Sequence, residues 1–292
     1  MRIGFVGAGK VGTSLAKLLT ERGKTVSGFY SRSPISAAEA AQFTNTTHFE
    51  DINQLLDASD VLFLTVPDGQ IATVYRTLNP NLLVDKIICH CSGALSTAVF
   101  EGIEKHGASA FSVHPFVAIN SRFESYQQLP HSIFTLESKP IREEHRTSML
   151  SLLHDLDLHV EEIFGESKVA YHGAAVMASN LVLGLLSCAR EELVAAGFSE
   201  AGANEAILSL ASGNLQNACK AAGDPLVEAL TGPVQRGDAT TVAAHLKAFR
   251  GEHREIYRLL SEQLLPLAKK KNELLDDTEL VALLSGEEEN NK

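Results

Sequence analysis

The sequence predicts a doubly wound parallel α/β domain followed by an all-α domain, and three observations predict it. A short apolar strand, a glycine turn and a helix start fill Arg2 to Gly12. Strand and helix patterns then alternate to about residue 136. From Gly165 onward only helical patterns occur. The 292 residues suit two domains, expected at 1–164 and 165–292.

The opening run carries Gly7-x-Gly9-x-x-Gly12. Gly7 permits a tight turn, Gly9 lets a pyrophosphate approach the backbone, and Gly12 lets helix and strand pack closely. Val11, Leu15, Leu18 and Leu19 share one face of the helix. Its first N–H groups and positive dipole end suit phosphate, which makes Gly7, Ala8, Gly9, Lys10, Val11 and Gly12 candidate contacts. Gly4 to Lys10 also spells the start of a triphosphate-binding loop. Val11 stands where that loop needs a hydroxyl for magnesium, so a nucleotide triphosphatase is excluded.

The second strand, 25–30, closes without the Asp or Glu that would bond the ribose 2′-hydroxyl of NAD. Ser31, Arg32 and Ser33 stand there instead. A guanidinium forks onto phosphate oxygens and serines add donors, so the expected cofactor is NADP.

The remaining elements follow in order. The first strand is 2–6 and the first helix 10–22, ended by Gly23. After the second strand come an Ala-rich helix at 34–42, a short strand near 46–48 and a helix at 51–57. Asp60 to Val66 is almost continuously apolar and is closed by Pro67, as a central strand buried on both faces requires. Asp68 opens the next helix. Further strands are expected at 86–92, 108–113 and 132–136, all parallel with right-handed crossovers. Ligands of such sheets sit beyond the carboxyl ends of the strands, so Val66-Pro67, Ser92-Gly93 and His114-Pro115 are expected to face the cofactor. A helix at 141–156 and a strand at 158–163 lead out of the domain. Helices then run at 167–196, at 199–222 capped by Ser199, from Pro225, from 239 capped by Asp238, and at 252–271 with a bend at Pro266. A last turn or two is expected at 278–284, and Glu287 to Lys292 is expected to fray.

Composition narrows the partners. The net charge is −11 and the one basic block is Lys269-Lys270-Lys271, read as a solvated helix end, which argues against nucleic acid or an anionic membrane. Trp is absent and aromatics total 6%, so no base-stacking surface is expected. No apolar run reads as long enough to span a bilayer, and the chain enters a strand at once without a signal peptide, so a cytoplasmic location is expected. Cys89, Cys91, Cys188 and Cys219 lack metal-site spacing and are read as reduced thiols, with no metal expected.

A nicotinamide domain offers hydride transfer; the helical half must supply a proton and substrate contacts. Lys168, His172, Ala175 and Ser179 form one stripe of its first helix. A desolvated Lys has its pKa lowered toward neutrality, which suits a general acid or base, so Lys168 is the expected proton donor with His172 beside it. Ser92 and His114, at strand ends, are expected to orient the reacting groups, although such residues also cap helices. Asn180 and Arg236 are candidate substrate contacts, Arg236 for a carboxylate.

The Gly7–Gly12 fingerprint, Arg32, Val66-Pro67 and the helical second half resemble the superfamily of 6-phosphogluconate dehydrogenase, ketopantoate reductase and pyrroline-5-carboxylate reductase. In its β-hydroxyacid and ketopantoate members a catalytic Lys precedes an Asn by four residues; Lys168 matches that Lys, and His172 stands where the Asn would be. A closer likeness spans nearly the whole chain. His90-Cys91-Ser92-Gly93, Ser112-Val113-His114-Pro115, Tyr171-His172-x-Ala174-Ala175 and Leu230 to Asp238 resemble bacterial Rossmann-like proteins with a C-terminal domain of unknown function, described as NADP-dependent oxidoreductases. The likeness implies a Rossmann sheet, a 6-phosphogluconate dehydrogenase C-terminal-like helical domain and a homodimer paired through it. The expected function is reduction by NADPH of a small carboxylate-bearing carbonyl compound, a 2-keto or 3-hydroxy acid. The alternatives are an imine reductase of the pyrroline-5-carboxylate type and a non-catalytic NADP-binding regulator.

Overall fold

A strand of small and apolar residues flanked by βα units can be covered on both faces, and Arg2–Val6 (β1) is such a strand. In the computed structural model, which describes residues 1–285, it lies inside an eight-stranded sheet. The others are Thr25–Tyr30 (β2), Thr47–His48 (β3), Val61–Leu64 (β4), Ile87–His90 (β5), Ser109–Pro115 (β6), Ile133–Lys139 (β7) and His159–Glu162 (β8). Their order is β3-β2-β1-β4-β5-β6-β7-β8. The order in which successive strands are added reverses between β1 and its parallel neighbour β4, the switch point beside which such sheets bind ligands.

Five helices cover or flank this sheet: Lys10–Glu21 (α1), Pro34–Thr44 (α2), Ile52–Asp57 (α3), Asp68–Arg76 (α4) and Glu143–Asp155 (α5). Side chains alternate between the faces. On one, Phe5 stacks between Phe29 and Phe63, with ring centroids 5.5 and 5.3 Å apart, above Leu15, Leu18 and Leu19 of α1. On the other, Val6, Leu62, Leu64 and Ile88 pack with Leu55, Leu56 and Tyr75. Caps follow the sequence: Ser33 Oγ accepts the N–H of Ser36 at the start of α2, and Asp51 Oδ1 accepts those of Asn53 and Gln54 in α3.

The expectation of an all-parallel sheet is corrected at one strand. β7 runs antiparallel to β6, pairing His114 with Thr135 and Ser112 with Glu137. The 116–132 connection holds only 3-10 turns, with no helix to carry the chain back to the opposite end of the sheet, so it returns beside β6 in the reverse sense.

Two compact units form, Met1–Ser179 and Asn180–Lys292. The first includes the helix Lys168–Ala178 (α6), past the boundary expected near 164, because Lys168 is anchored at the sheet. The single helix expected at 167–196 is two: backbone at Ser179 (φ −126°, ψ −81°) leaves the helical region, and Asn180–Ala195 (α7) begins the second unit.

That unit continues with Glu200–Lys220 (α8), Pro225–Ala229 (α9), Pro233–Arg236 (α10), Ala239–Ala248 (α11), Gly251–Lys271 (α12) and Thr278–Leu284 (α13). Val234, Val242, Leu246, Leu265, Ala268 and Leu280 form its core. Lys269-Lys270-Lys271 is not simply a solvated face. Lys269 pairs with Asp277 at 2.9 Å, Lys270 with Asp224 at 2.7 Å, and Lys271 donates to the carbonyls of Glu228 and Leu230. Residues 287–292 lie outside the described residues. One expectation fails on composition alone: the stretch Gly165–Ala195 contains an 18-residue window with a mean hydropathy of 1.5, long and apolar enough to cross a membrane.

Candidate active site

The glycine turn has distinct geometry at each position. Gly7 sits at φ +101°, and its N–H donates to the carbonyl of Tyr30 at 2.8 Å. At Gly12 an added Cβ would lie 2.3 Å from Thr65 Oγ1 and 2.7 Å from the Gly7 carbonyl oxygen, so α1 can approach β4 only without a side chain there. A Cβ at Gly9 would meet nothing within 4 Å, which leaves open space in front of the backbone at the helix start.

That space belongs to a cavity of about 250 Å³ lined by Gly7, Ala8, Gly9, Ser31, Arg32, Val66 and Pro67, together with Tyr30, Ser36, Thr65 and Gln70. Arg32 is exposed and forms no ion pair among the described residues. Ser33 is the α2 cap, and the Ser33 N–H reaches Ser31 Oγ at 3.4 Å. Lys10, Val11 and Gly12 form the first turn of α1 behind the cavity.

Farther along the same sheet edge, beyond β5 and β6, residues distant in sequence converge. Lys168 is only 1% exposed, and its ammonium donates to the Ser92 carbonyl and to Ser112 Oγ, each at 2.8 Å. Burial lowers its pKa to about 8, against the attraction of Glu137, Cys91 and Asp68. Glu137 is itself buried and accepts from the Thr97 N–H and hydroxyl at 2.8 and 2.7 Å. Gly165 allows the chain to pass it, since a Cβ there would lie 3.0 Å from Glu137 Oε1.

Ser92 has its hydroxyl committed. Oγ donates to Asp68 Oδ2 at 2.7 Å and accepts the N–H groups of Ala94 and Leu95, so it ties the β5 turn to the start of α4. His90 supports the same turn, with Nδ1 accepting the Ser92 N–H and Nε2 3.3 Å from the Ser96 carbonyl oxygen. Burial holds His90 at about pKa 4 and raises Cys91 to about 12.

His114 and His172 meet over Gly93. A Cβ on Gly93 would lie 2.5 Å from His172 Nδ1 and 3.0 Å from His114 Nε2, so this glycine makes room for both rings. Their centroids are 6.3 Å apart. His172 Nδ1 is buried without a hydrogen-bond partner among the described residues. His114 Nδ1 lies 2.7 Å from the Tyr171 hydroxyl, to which Thr135 Oγ1 also donates at 3.1 Å. Burial, the Lys168 ammonium and His172 lower His114 to a pKa of about 4. The group therefore contains one desolvated cation and two imidazoles, and can offer fixed donors to an anionic or carbonyl ligand.

Of the expected site residues, Ser92, His114, Lys168 and His172 come together in the first unit. Asn180 and Arg236 belong to the second, where Asn180 opens α7 and Arg236 ends α10. Beside Arg236, Asp238 caps α11, and its bonds to the Thr241 hydroxyl and N–H hold its carboxyl below the usual range. Sequence reasoning missed Asp68, Thr135 and Glu137 and gave Tyr171 and Ser112 no role. One signal for Ser112 was present: two residues before His114, it shares that residue's face of β6.

Comparison with known proteins gives the chain its relatives. A Rossmann-like domain model matches residues 1–115, and the model of a domain of unknown function, DUF2520, matches residues 132–264. A search of the curated proteins finds no match. Among solved structures, protein TM1727 from Thermotoga maritima is 26% identical with a TM-score of 0.75, over 92% of this chain and 99% of that one. A pyrroline-5-carboxylate reductase from Coxiella burnetii is 16% identical with a TM-score of 0.62, over 92% and 97%. The pyrroline carboxylate reductase of Plasmodium falciparum, solved with NADP bound, is 14% identical with a TM-score of 0.59, over 92% and 98%. At the identities of the last two, the likeness is one of fold.

Proposed function

We propose that this chain, a Rossmann-like domain joined to a DUF2520 domain, is an NADP-dependent reductase of a small carbonyl compound that bears a carboxylate. The observation that carries the reading is the Lys168 ammonium, desolvated and fixed beside His114 and His172 on the sheet edge that also holds the glycine-turn cavity. The cavity fits the cofactor on its own terms: open backbone at Gly9, the helix start of α1, and the exposed Arg32 guanidinium for a 2′-phosphate. Bound there, NADPH supplies hydride to an electrophilic carbon.

The chain's own residues do the rest. Lys168 places positive charge where negative charge develops on the substrate oxygen, and it holds a proton within reach of neutral pH. Ser112 and the Ser92 carbonyl keep that ammonium in place. Fixed positive charge stabilises an incipient alkoxide and opposes a cationic iminium, which favours the carbonyl over the imine as substrate. NADPH oxidation followed over 2-keto acids, 3-keto acids and cyclic imines tests this. Turnover of a keto acid is expected. Turnover of imines alone contradicts the carbonyl reading, and turnover of neither contradicts the enzyme.

The second unit supports a homodimer. α7 buries none of its residues and α8 only Ala203, while Leu181, Leu183, Leu208, Leu210 and Leu215 are exposed. α7 and α8 pack on each other, and large apolar surfaces left uncovered on a chain mark interaction sites. Sedimentation at micromolar concentration should give twice the 31.5 kDa chain mass; a single-chain mass contradicts the pairing.

A further inference from the structure

His114 is the penultimate residue of β6, and the antiparallel register sets Thr135 of β7 opposite it. Between them lies the Tyr171 hydroxyl, which accepts from Thr135 Oγ1 and sits 2.7 Å from His114 Nδ1. A phenol has one proton to give. While the oxygen accepts from Thr135 Oγ1, its own proton still needs an acceptor, and His114 Nδ1 stands 2.7 Å away to take it. With Nδ1 in that role a neutral imidazole would carry its proton on Nε2, which makes no hydrogen bond among the described residues and lies beside Gly93.

We propose that Thr135 and Tyr171 form a directional chain that fixes His114 as the Nε2–H tautomer, aimed as a donor at an acceptor oxygen of the substrate. The inference rests on the reductase reading and deepens it to a substrate class. A carbonyl oxygen accepts from Nε2–H, whereas a protonated imine nitrogen has no lone pair to offer. Burial and the nearby ammonium keep His114 neutral at neutral pH, so tautomer choice and not protonation decides what the ring presents. Thr135 and Tyr171 are positioning residues and act through His114.

The test is long-range ¹H–¹⁵N correlation of the full chain with ¹⁵N-labelled histidine at about pH 7, without cofactor or substrate. The signals of His114 are identified by their loss in His114→Gln. The expected result is a protonated Nε2 and an unprotonated Nδ1 in the wild-type protein. In Tyr171→Phe that preference should collapse to a mixture, with kcat lowered ~10–100-fold and KM for NADPH little changed. Thr135→Val should shift the tautomer in the same direction, more weakly. A wild-type His114 protonated at Nδ1, or a tautomer unmoved in Tyr171→Phe, overturns the proposal. The spectrum needs no turnover, so it reads the tautomer whether or not the reductase reading holds, and failure to reduce any carbonyl compound falls on that reading alone.

Discussion

Lys168→Met should lower kcat by ~10²–10⁴-fold while leaving NADPH affinity nearly unchanged, because it removes the proton source and the fixed positive charge without touching the cofactor cavity. Steady-state kinetics alongside NADPH titration separate the two. The pH profile carries the same signature. The ammonium loses its proton as pH rises through about 8, so wild-type kcat/KM should fall above that value. Stability should move the other way. Between about 8 and the ordinary value of 10.5 the unfolded chain holds the Lys168 proton and the folded chain does not, so wild type gains on Lys168→Met as pH rises, by an order of ~3 kcal/mol. Below pH 8 both states hold the proton and the difference is flat. A kcat unchanged in Lys168→Met removes this residue from the chemistry.

Arg32→Ala should weaken NADPH binding ~10–100-fold and leave NADH binding nearly unchanged. One charge-assisted guanidinium–phosphate pair is worth ~1.5–3 kcal/mol, and NADH lacks the phosphate. The expectation depends on Arg32 standing exposed at the cavity with no carboxylate paired to it among the described residues. Calorimetric titration with both nucleotides measures it. An equal loss for the two would place the 2′-phosphate elsewhere.

Much of the first unit is legible because its constraints are local. Gly7 must adopt a left-handed φ and Gly12 must admit Thr65, and these backbone demands write themselves into a fixed spacing. The apolar run at β4 declares a strand buried on both faces. The convergence beyond β5 and β6 is only half legible. Lys168 and His172 share a stripe by helical period, but nothing local says that the ammonium would reach the Ser92 carbonyl and Ser112. The pairing of Thr135 with His114 and of Glu137 with Ser112 depends on β7 turning antiparallel. Sheet direction is set by how the 116–132 connection packs, which no periodicity records. The break at Ser179 was hidden for a related reason: both flanking segments have helical composition, and one residue's backbone divides them.

The most direct test is the structure of the chain crystallised with NADPH. The adenosine 2′-phosphate should lie against Arg32 and Ser31, the pyrophosphate against Gly9 at the start of α1, and the nicotinamide on the His114 side of the Val66-Pro67 turn. A nucleotide bound away from the glycine turn, or a 2′-phosphate out of reach of Arg32, would contradict the account.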